Sequence, residues 1–211
     1  MKEYHKINSV FMRDPATKHK SFLMGQYAQP EFEYLKDAQW QYTEKVDGTN
    51  IRVHWQRGNP PMYGGRTKDA QTPTFLIQRL RDLFDAANWG ATFPDCEAVT
   101  LYGEGYGAKI QKGGGDYLPD SCGFILFDVR IGDMWLLRRD VEDIADKLSI
   151  NVTPVVGVGT LDEAVDMVRQ GFDSLLRATP PEGLVLRPMV ELRTRRGDRV
   201  ITKLKLKDFS N

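Results

Sequence analysis

The stretch at 43–53, "TEKVDGTNIRV", sets Lys45 between Glu44 and Asp47 and then turns at Gly48. A lysine is a nucleophile only as the neutral amine. With an ordinary pKa of about 10.4, reaching that form at pH 7 costs roughly 4.6 kcal/mol. Acids beside a lysine work against the change, so a nucleophile here needs cations close by, either other lysines or a metal. A surface ion pair is the bland alternative.

Candidate cations stand near the C-terminal end. In extended "RVITKLKLKDF", Ile201, Lys203, Lys205 and Lys207 share one face, and Thr202, Leu204 and Leu206 share the other. The lysine row then borders a cleft or water, although an edge strand guarded by lysines has the same pattern. Glu104 in "LYGEGYG" and Glu182 in "PEGLVLRP" each stand before a glycine in an apolar run. Acids so placed are paired, metal-bound or at a strand end. Asp128 follows Phe127 in "FILFDVRI" and reads as either a structural acid or a site residue. Arg66 in "YGGRTKD" offers a guanidinium fork beside glycine backbone, suited to phosphate, or is a plain turn residue.

The elements that must position these groups are mostly strands. "QWQYTEKV" and "NIRVHWQ" alternate around the Asp47–Gly48 turn signal, and "AVTLYGEGYG", "GFILFDVRIG", "EGLVLRP" and "RVITKLKLKDF" are further β-rich runs. A helix is predicted over 74–87, with Thr74 as N-cap. "RRDVEDIADKL" and "TLDEAVDMVRQG" predict two more, the second with Thr160 and Glu163 at capping-box spacing and a stop at Gly171. Residues 1–40 read as irregular chain packed on the core, and 108–121 as a Gly-rich loop. The sum is a β-rich α+β fold in one domain over 1–211, with antiparallel sheets, flanking helices and a small helical insert near 138–178.

Composition narrows the class. At 211 residues, with 41% hydrophobic and 27% charged residues, the chain can bury a sizeable core. No run approaches the roughly 20 apolar residues of a membrane span, and the N-terminus lacks a signal-peptide core, so a cytoplasmic protein without membrane contact is expected. Two cysteines and three scattered histidines make no zinc pattern. With 29 residues of each sign the net charge is zero, which argues against tight non-specific nucleic-acid binding. A basic strip, "RTRRGDRVITKLKLK" at 193–207, is the local exception.

Taken in order, "EKVDGTN" (44–50), "GGRT" (64–67), "LYGEGYG" (101–107), "FILFDVRIG" (124–132), "EGLVL" (182–186) and "KLKLKDF" (203–209) resemble motifs I to V of the covalent nucleotidyltransferases. The closest resemblance is to ATP-dependent RNA ligases of the T4-type nick-sealing family. It implies a nucleotidyltransferase domain, the ATP-grasp-like adenylation fold of ligases, using ATP and Mg²⁺ or Mn²⁺. By resemblance, Lys45 is the covalent nucleophile, and Lys203 and Lys205 grip the α-phosphate. Glu104 holds the ribose side, Phe127 stacks on adenine, and Arg66 contacts phosphate. Glu182 helps hold the metal, Asp47 serves it or its water shell, and Glu44 and Asn50 complete the nucleotide set, Asn50 as a positioning residue. The implied partners are RNA ends or a nicked duplex.

DNA ligases and capping enzymes share these motifs; ATP against GTP, and RNA against DNA nicks, separate them. A nucleotide- or RNA-binding module without sealing activity is the remaining alternative. The C-terminal oligonucleotide-binding barrel or helical domain of the relatives is not expected in this chain. An accessory substrate-binding protein is therefore a possible partner, and sealing is expected to be weak and salt-sensitive.

Overall fold

The computed structural model describes residues 1–209. Along the chain run β1 (Asn8–Ser9), β2 (Phe11–Arg13), β3 (Phe22–Tyr27), α1 (Pro30–Tyr34), β4 (Trp40–Lys45), β5 (Thr49–Gln56) and β6 (Met62–Gly64). Helices α2 (Thr74–Phe84) and α3 (Trp89–Thr92) follow, then β7 (Ala98–Gly107), β8 (Cys122–Ile131) and β9 (Met134–Trp135). The last elements are α4 (Arg138–Lys147), β10 (Asn151–Val152), β11 (Val155–Gly159), α5 (Leu161–Gln170), β12 (Gly183–Pro188) and β13 (Thr202–Lys205).

These elements form two compact units. The first takes Met1–His5 and Asp47–Thr153; the second takes Lys6–Val46 and the chain from Pro154 onward. The Asp47–Gly48 turn therefore closes no hairpin, because β4 and β5 belong to different sheets. The helices expected to make one insert near 138–178 also part company. The first unit contains α4 and the second contains α5.

In the first unit a six-stranded sheet runs β10-β8-β7-β5-β6, with β9 on β8. Its pairs are antiparallel except β10–β8. Alternation in β5 sends Ile51, Val53 and Trp55 into a core with Leu76, Leu80 and Phe84 of α2 and Val141 and Ile144 of α4. Arg52 and Tyr102, paired across β5 and β7, take the opposite face. Tyr4 covers that face, its ring 5.2 Å from Tyr102 and 5.6 Å from Trp135. The start of α2 differs by one position from expectation. Pro73 is its N-cap, since the amides of Leu76 and Ile77 both donate to the Pro73 carbonyl at 3.0 Å.

The second unit holds a five-stranded sheet in the order β1-β13-β12-β4-β11 and a β2–β3 hairpin. Residues 8–27 are thus ordered strands rather than irregular chain. β1 takes its partner from distant β13, whereas β2 and β3 are short and pair with each other around the 3₁₀ turn at Pro15–Thr17. Trp40, Tyr42, Leu184, Leu186 and Leu204 pack with Leu161, Ala164 and Val165 of α5 in the core of this unit. That helix begins with the expected capping box, the Thr160 hydroxyl accepting from the Glu163 amide and the Glu163 carboxylate from the Thr160 amide.

Candidate active site

In the second unit β12 lies between β4 and β13, and Gly183 stands opposite both Lys45 and Lys205. Glu182, one residue earlier, reaches the end of each neighbouring strand. The Lys45 Nζ donates to Glu182 Oε2 at 2.6 Å, and the Lys205 Nζ lies 2.5 Å from Oε1. All three side chains are mostly covered, with 20%, 14% and 20% exposure for Lys45, Glu182 and Lys205. Residues 137 and 160 positions from Lys45 in the chain thus meet at one carboxylate.

Burial is the largest influence on the Glu182 carboxyl and favours its neutral form. The charge of Lys45, then hydrogen bonds from Lys205 and Lys45, together outweigh it and hold the carboxyl below its ordinary value. Glu182 is therefore an anion at neutral pH, and it holds a proton weakly.

The lysine row follows the expected alternation as far as β13 extends. Thr202 and Leu204 are fully buried, while Lys203 and Lys205 are half-buried. The strand is not an edge, because β1 pairs with it on the other side. Past Lys205 the backbone tightens into a 3₁₀ turn over Leu206–Asp208, which takes Lys207 out of the strand. The basic strip as a whole is not one surface. Arg199 is buried and paired with Glu191 at 2.5 Å and 2.8 Å, and Thr194–Asp198 form a turn.

Gly183 is needed for this register. Its φ is 153°, and a Cβ there would lie 2.0 Å from the Leu204 carbonyl oxygen and 2.7 Å from the Lys205 Cα. Gly183→Ala is expected to cost on the order of 2–4 kcal/mol and to push Lys205 away from Glu182. Thermal melting measures the first effect, and an unchanged melting temperature would contradict it.

Glu44, expected among the nucleotide ligands, is instead 1% exposed. Its carboxylate accepts from the Ser174 hydroxyl at 2.5 Å and the Leu175 amide at 2.8 Å. It braces the loop after α5.

The first unit gathers a second group. Asn50 and Glu104 are directly paired across β5 and β7. The Asn50 Oδ1 is buried and has no hydrogen-bond partner among the described residues. Gly48 sits against the same place: a Cβ would lie 2.2 Å from the Gly105 carbonyl oxygen and 2.7 Å from the Glu104 Cγ. The Gly-rich loop holds this turn from outside. Gln111 donates to the Gly48 carbonyl at 3.0 Å, and the Asp47 amide donates to the Tyr117 hydroxyl at 3.1 Å.

Phe127 occupies a β-bulge. Tyr102 pairs with Asp128 and Gly103 with Leu126, so Phe127 has no opposite residue in β7. It is half-buried, with the Tyr4 ring edge-on at 5.1 Å. Asp128 is fully buried and accepts from the Tyr4 hydroxyl at 2.5 Å, which is a structural role. Arg66 is exposed. The loop that carries it is held by buried Arg52, which donates to the carbonyls of Gly65 at 2.6 Å and Thr67 at 3.1 Å.

Sequence reasoning passed over Arg52, Ser174, Gln111, Tyr117 and Tyr4. Arg52 carried a signal, as a charged residue in a strand otherwise destined for the interior. The others form bonds over 63 or more positions, and nothing in local spacing marks them. Among the described residues no three His, Cys, Asp or Glu side chains converge as a metal cage, and no helix is long and apolar enough to cross a membrane.

The backbone is similar to an alanine variant of the Naegleria gruberi RNA ligase with ATP and manganese, at 19% identity and a TM-score of 0.64, over 85% of this chain and 54% of that one. It is also similar to the same ligase with pyrophosphate, at 20% identity and 0.64, over 83% and 52%. A lysine-to-methionine variant with AMP and manganese gives 18%, 0.64, 83% and 52%. The likeness shows that the chain shares the α+β fold of these ligases, and the chain spans about half the length of these solved relatives. No curated protein matches it in sequence. The RNA ligase family model, in contrast, matches residues 38–205, from the strand that ends in Lys45 to the lysine that shares Glu182 with it; the chain belongs to the RNA ligase family.

Proposed function

We propose that the chain is an ATP-dependent RNA ligase that works through a lysyl-adenylate at Lys45. The observation that carries this proposal is the Glu182 carboxylate held between Lys45 and Lys205. In the first step the neutral Lys45 Nζ attacks the α-phosphorus of ATP. A P–N bond forms, the α–β P–O bond breaks, and pyrophosphate leaves. In the second, an RNA 5′-phosphate oxygen takes the AMP and the lysine amine is released. In the third, a 3′-hydroxyl attacks that 5′-phosphorus, a phosphodiester forms, and AMP departs.

Glu182 positions the Lys45 amine. Holding its own proton weakly, it is a poor acceptor for the one that Lys45 must lose. Lys205 and Lys203 supply positive charge, which favours the neutral amine and stabilises the charge developing on phosphate. The oxygen donors fit Mg²⁺ or Mn²⁺, which binds through one or two carboxylates plus phosphates and water and needs no protein cage. Glu182 would hold it, and Asp47, whose carboxylate makes no hydrogen bond among the described residues, is assigned to a metal or its water shell. A bound divalent ion supplies Lewis acidity and charge neutralisation at the phosphates.

Glu104 and Phe127 are assigned to the ribose and adenine. The unpartnered Asn50 oxygen beside Glu104 can accept from a ligand hydroxyl. Arg66 is assigned to phosphate, and Glu44 acts through the loop that it braces. Phe127→Ala is expected to fold, since the ring is half-buried rather than core, but to weaken ATP binding about tenfold, with Tyr and Trp tolerated. Thermal melts with and without ATP check this, and a full ATP-induced shift in the alanine variant would remove Phe127 from base recognition.

The test of the whole proposal is the intact mass after incubation with Mg²⁺ and either ATP or GTP, then sealing of RNA and DNA nicks. One added AMP and sealing of RNA support it. No adduct, or a GMP adduct in preference, would overturn it.

A further inference from the structure

We infer that a basic cleft within the second unit, formed by Lys6, Arg13 and Lys20, which precede the family match, together with Lys203, Lys205 and Lys207, is a track for the phosphodiester backbone of the RNA substrate. The inference rests on the ligase proposal and adds to it where the polynucleotide lies.

The cleft has a volume of about 850 Å³. Lys6, Arg13 and Lys20 line one part of it, and Lys203, Lys205 and Lys207 the other. The carboxylate in its wall, Asp208, is held by Arg13 at 2.8 Å, and Lys205 is shared with Glu182. Lys6, Lys20 and Lys207 are exposed and make no ion pair among the described residues. The chain is neutral overall, so this concentration of positive charge is local. A concave wall of one sign attracts and concentrates a polyanion.

The N-terminal part is firmly placed. β1 pairs in parallel with β13, Ser9 opposite Lys203, and the Thr202 hydroxyl donates to the Asn8 carbonyl at 3.0 Å. The turn that carries Lys20 is closed by the Asp14 amide on the Ser21 carbonyl at 3.0 Å. Within it Lys18 and His19, neither a glycine, hold φ values of 54° and 61°. Two consecutive left-handed residues persist only where the surroundings enforce them, and such strain gathers at functional sites. Arg13 adds donors to the His19 and Lys20 carbonyls at 3.4 Å.

Exposed lysines on flexible stems bind phosphates as point charges and read no sequence. Because the row includes Lys205, a strand lying in the cleft would bring its phosphates to the acid that also holds Lys45. The triphosphate tail of ATP has the same phosphate chemistry. Residues 6–20 extend the cleft beyond the Lys203–Lys205 pair already assigned to the nucleotide, which favours the longer ligand.

The experiment compares the wild-type chain, Lys6→Glu/Lys20→Glu, and a control with the same charge change on α4, Arg139→Glu/Lys147→Glu. Anisotropy of a 5′-phosphorylated single-stranded RNA is read against salt, and AMP adduct formation is read by intact mass across ATP concentrations. The cleft variant is expected to bind RNA at least about tenfold more weakly at low salt. Its slope of log affinity against log salt should be shallower by about 1.4, for two lost contacts at roughly 0.7 each. The control should keep wild-type binding, and adduct formation should be equal in all three. RNA affinity independent of Lys6 and Lys20 would overturn the inference. So would a higher ATP requirement with RNA binding intact, which would give the cleft to the triphosphate. A wild-type chain that forms no adduct yet binds RNA through Lys6 and Lys20 would overturn the ligase proposal and leave the cleft standing.

Discussion

Lys45→Ala and Lys45→Arg are each expected to abolish the proposed covalent AMP adduct, a loss of at least about 10⁴-fold that puts it below detection by intact mass. Alanine removes the nucleophile. Arginine keeps the charge and the pairing with Glu182, but its guanidinium stays protonated and cannot attack. The arginine variant is therefore the sharper test, because a merely structural Lys45–Glu182 ion pair would tolerate it. Both variants should stay folded, since Glu182 keeps Lys205 as a partner at 2.5 Å. An adduct retained in either variant would place the nucleophile elsewhere.

Glu182→Ala has the next largest expected effect, a fall of about 10²- to 10³-fold in adduct formation. Removing this carboxylate leaves two ammonium groups without the anion that holds them, and removes the proposed carboxylate for the divalent ion. Glu182→Gln keeps the shape without the charge and should fall between alanine and wild type. The pH dependence of stability gives an independent check. The folded-state carboxyl titrates below its ordinary value of 4.5, so Glu182 contributes stability that is present above that value. That contribution is lost as pH falls through the depressed folded value. The wild type should thus lose more stability than Glu182→Gln between neutral and strongly acidic pH. Parallel melting curves for the two proteins across that range would contradict the ion-pair account, and a metal-independent reaction in the wild type would contradict the role of Glu182 toward the ion.

The family of this protein and the residues proposed for its site were legible in its sequence. A lysine beside a turn, an acid before each of two glycines, and lysines two apart near the end are local patterns. Such patterns survive because each depends on residue type at a fixed short spacing. Strand periodicity and the capping box of α5 are local in the same way, and the structure has them where they were expected.

Tertiary pairing decided the rest. Nothing in "TEKVDGTN" shows that its two strands enter different sheets, because turn signals report local backbone and not the partner of each strand. The meeting of Lys45, Glu182 and Lys205 depends on β12 lying between β4 and β13, a strand order that sequence periodicity does not encode. Glu44 and Lys45 are adjacent, yet one braces a loop and the other faces Glu182, since alternate residues of a strand point to opposite sides. The basic strip at 193–207 looked like the whole positive surface. Folding pairs Arg199 with Glu191 and instead sets Lys203–Lys207 beside Lys6, Arg13 and Lys20. Charge along a chain is a linear quantity, whereas the field that a polyanion meets is set by which side chains the sheets bring to one face.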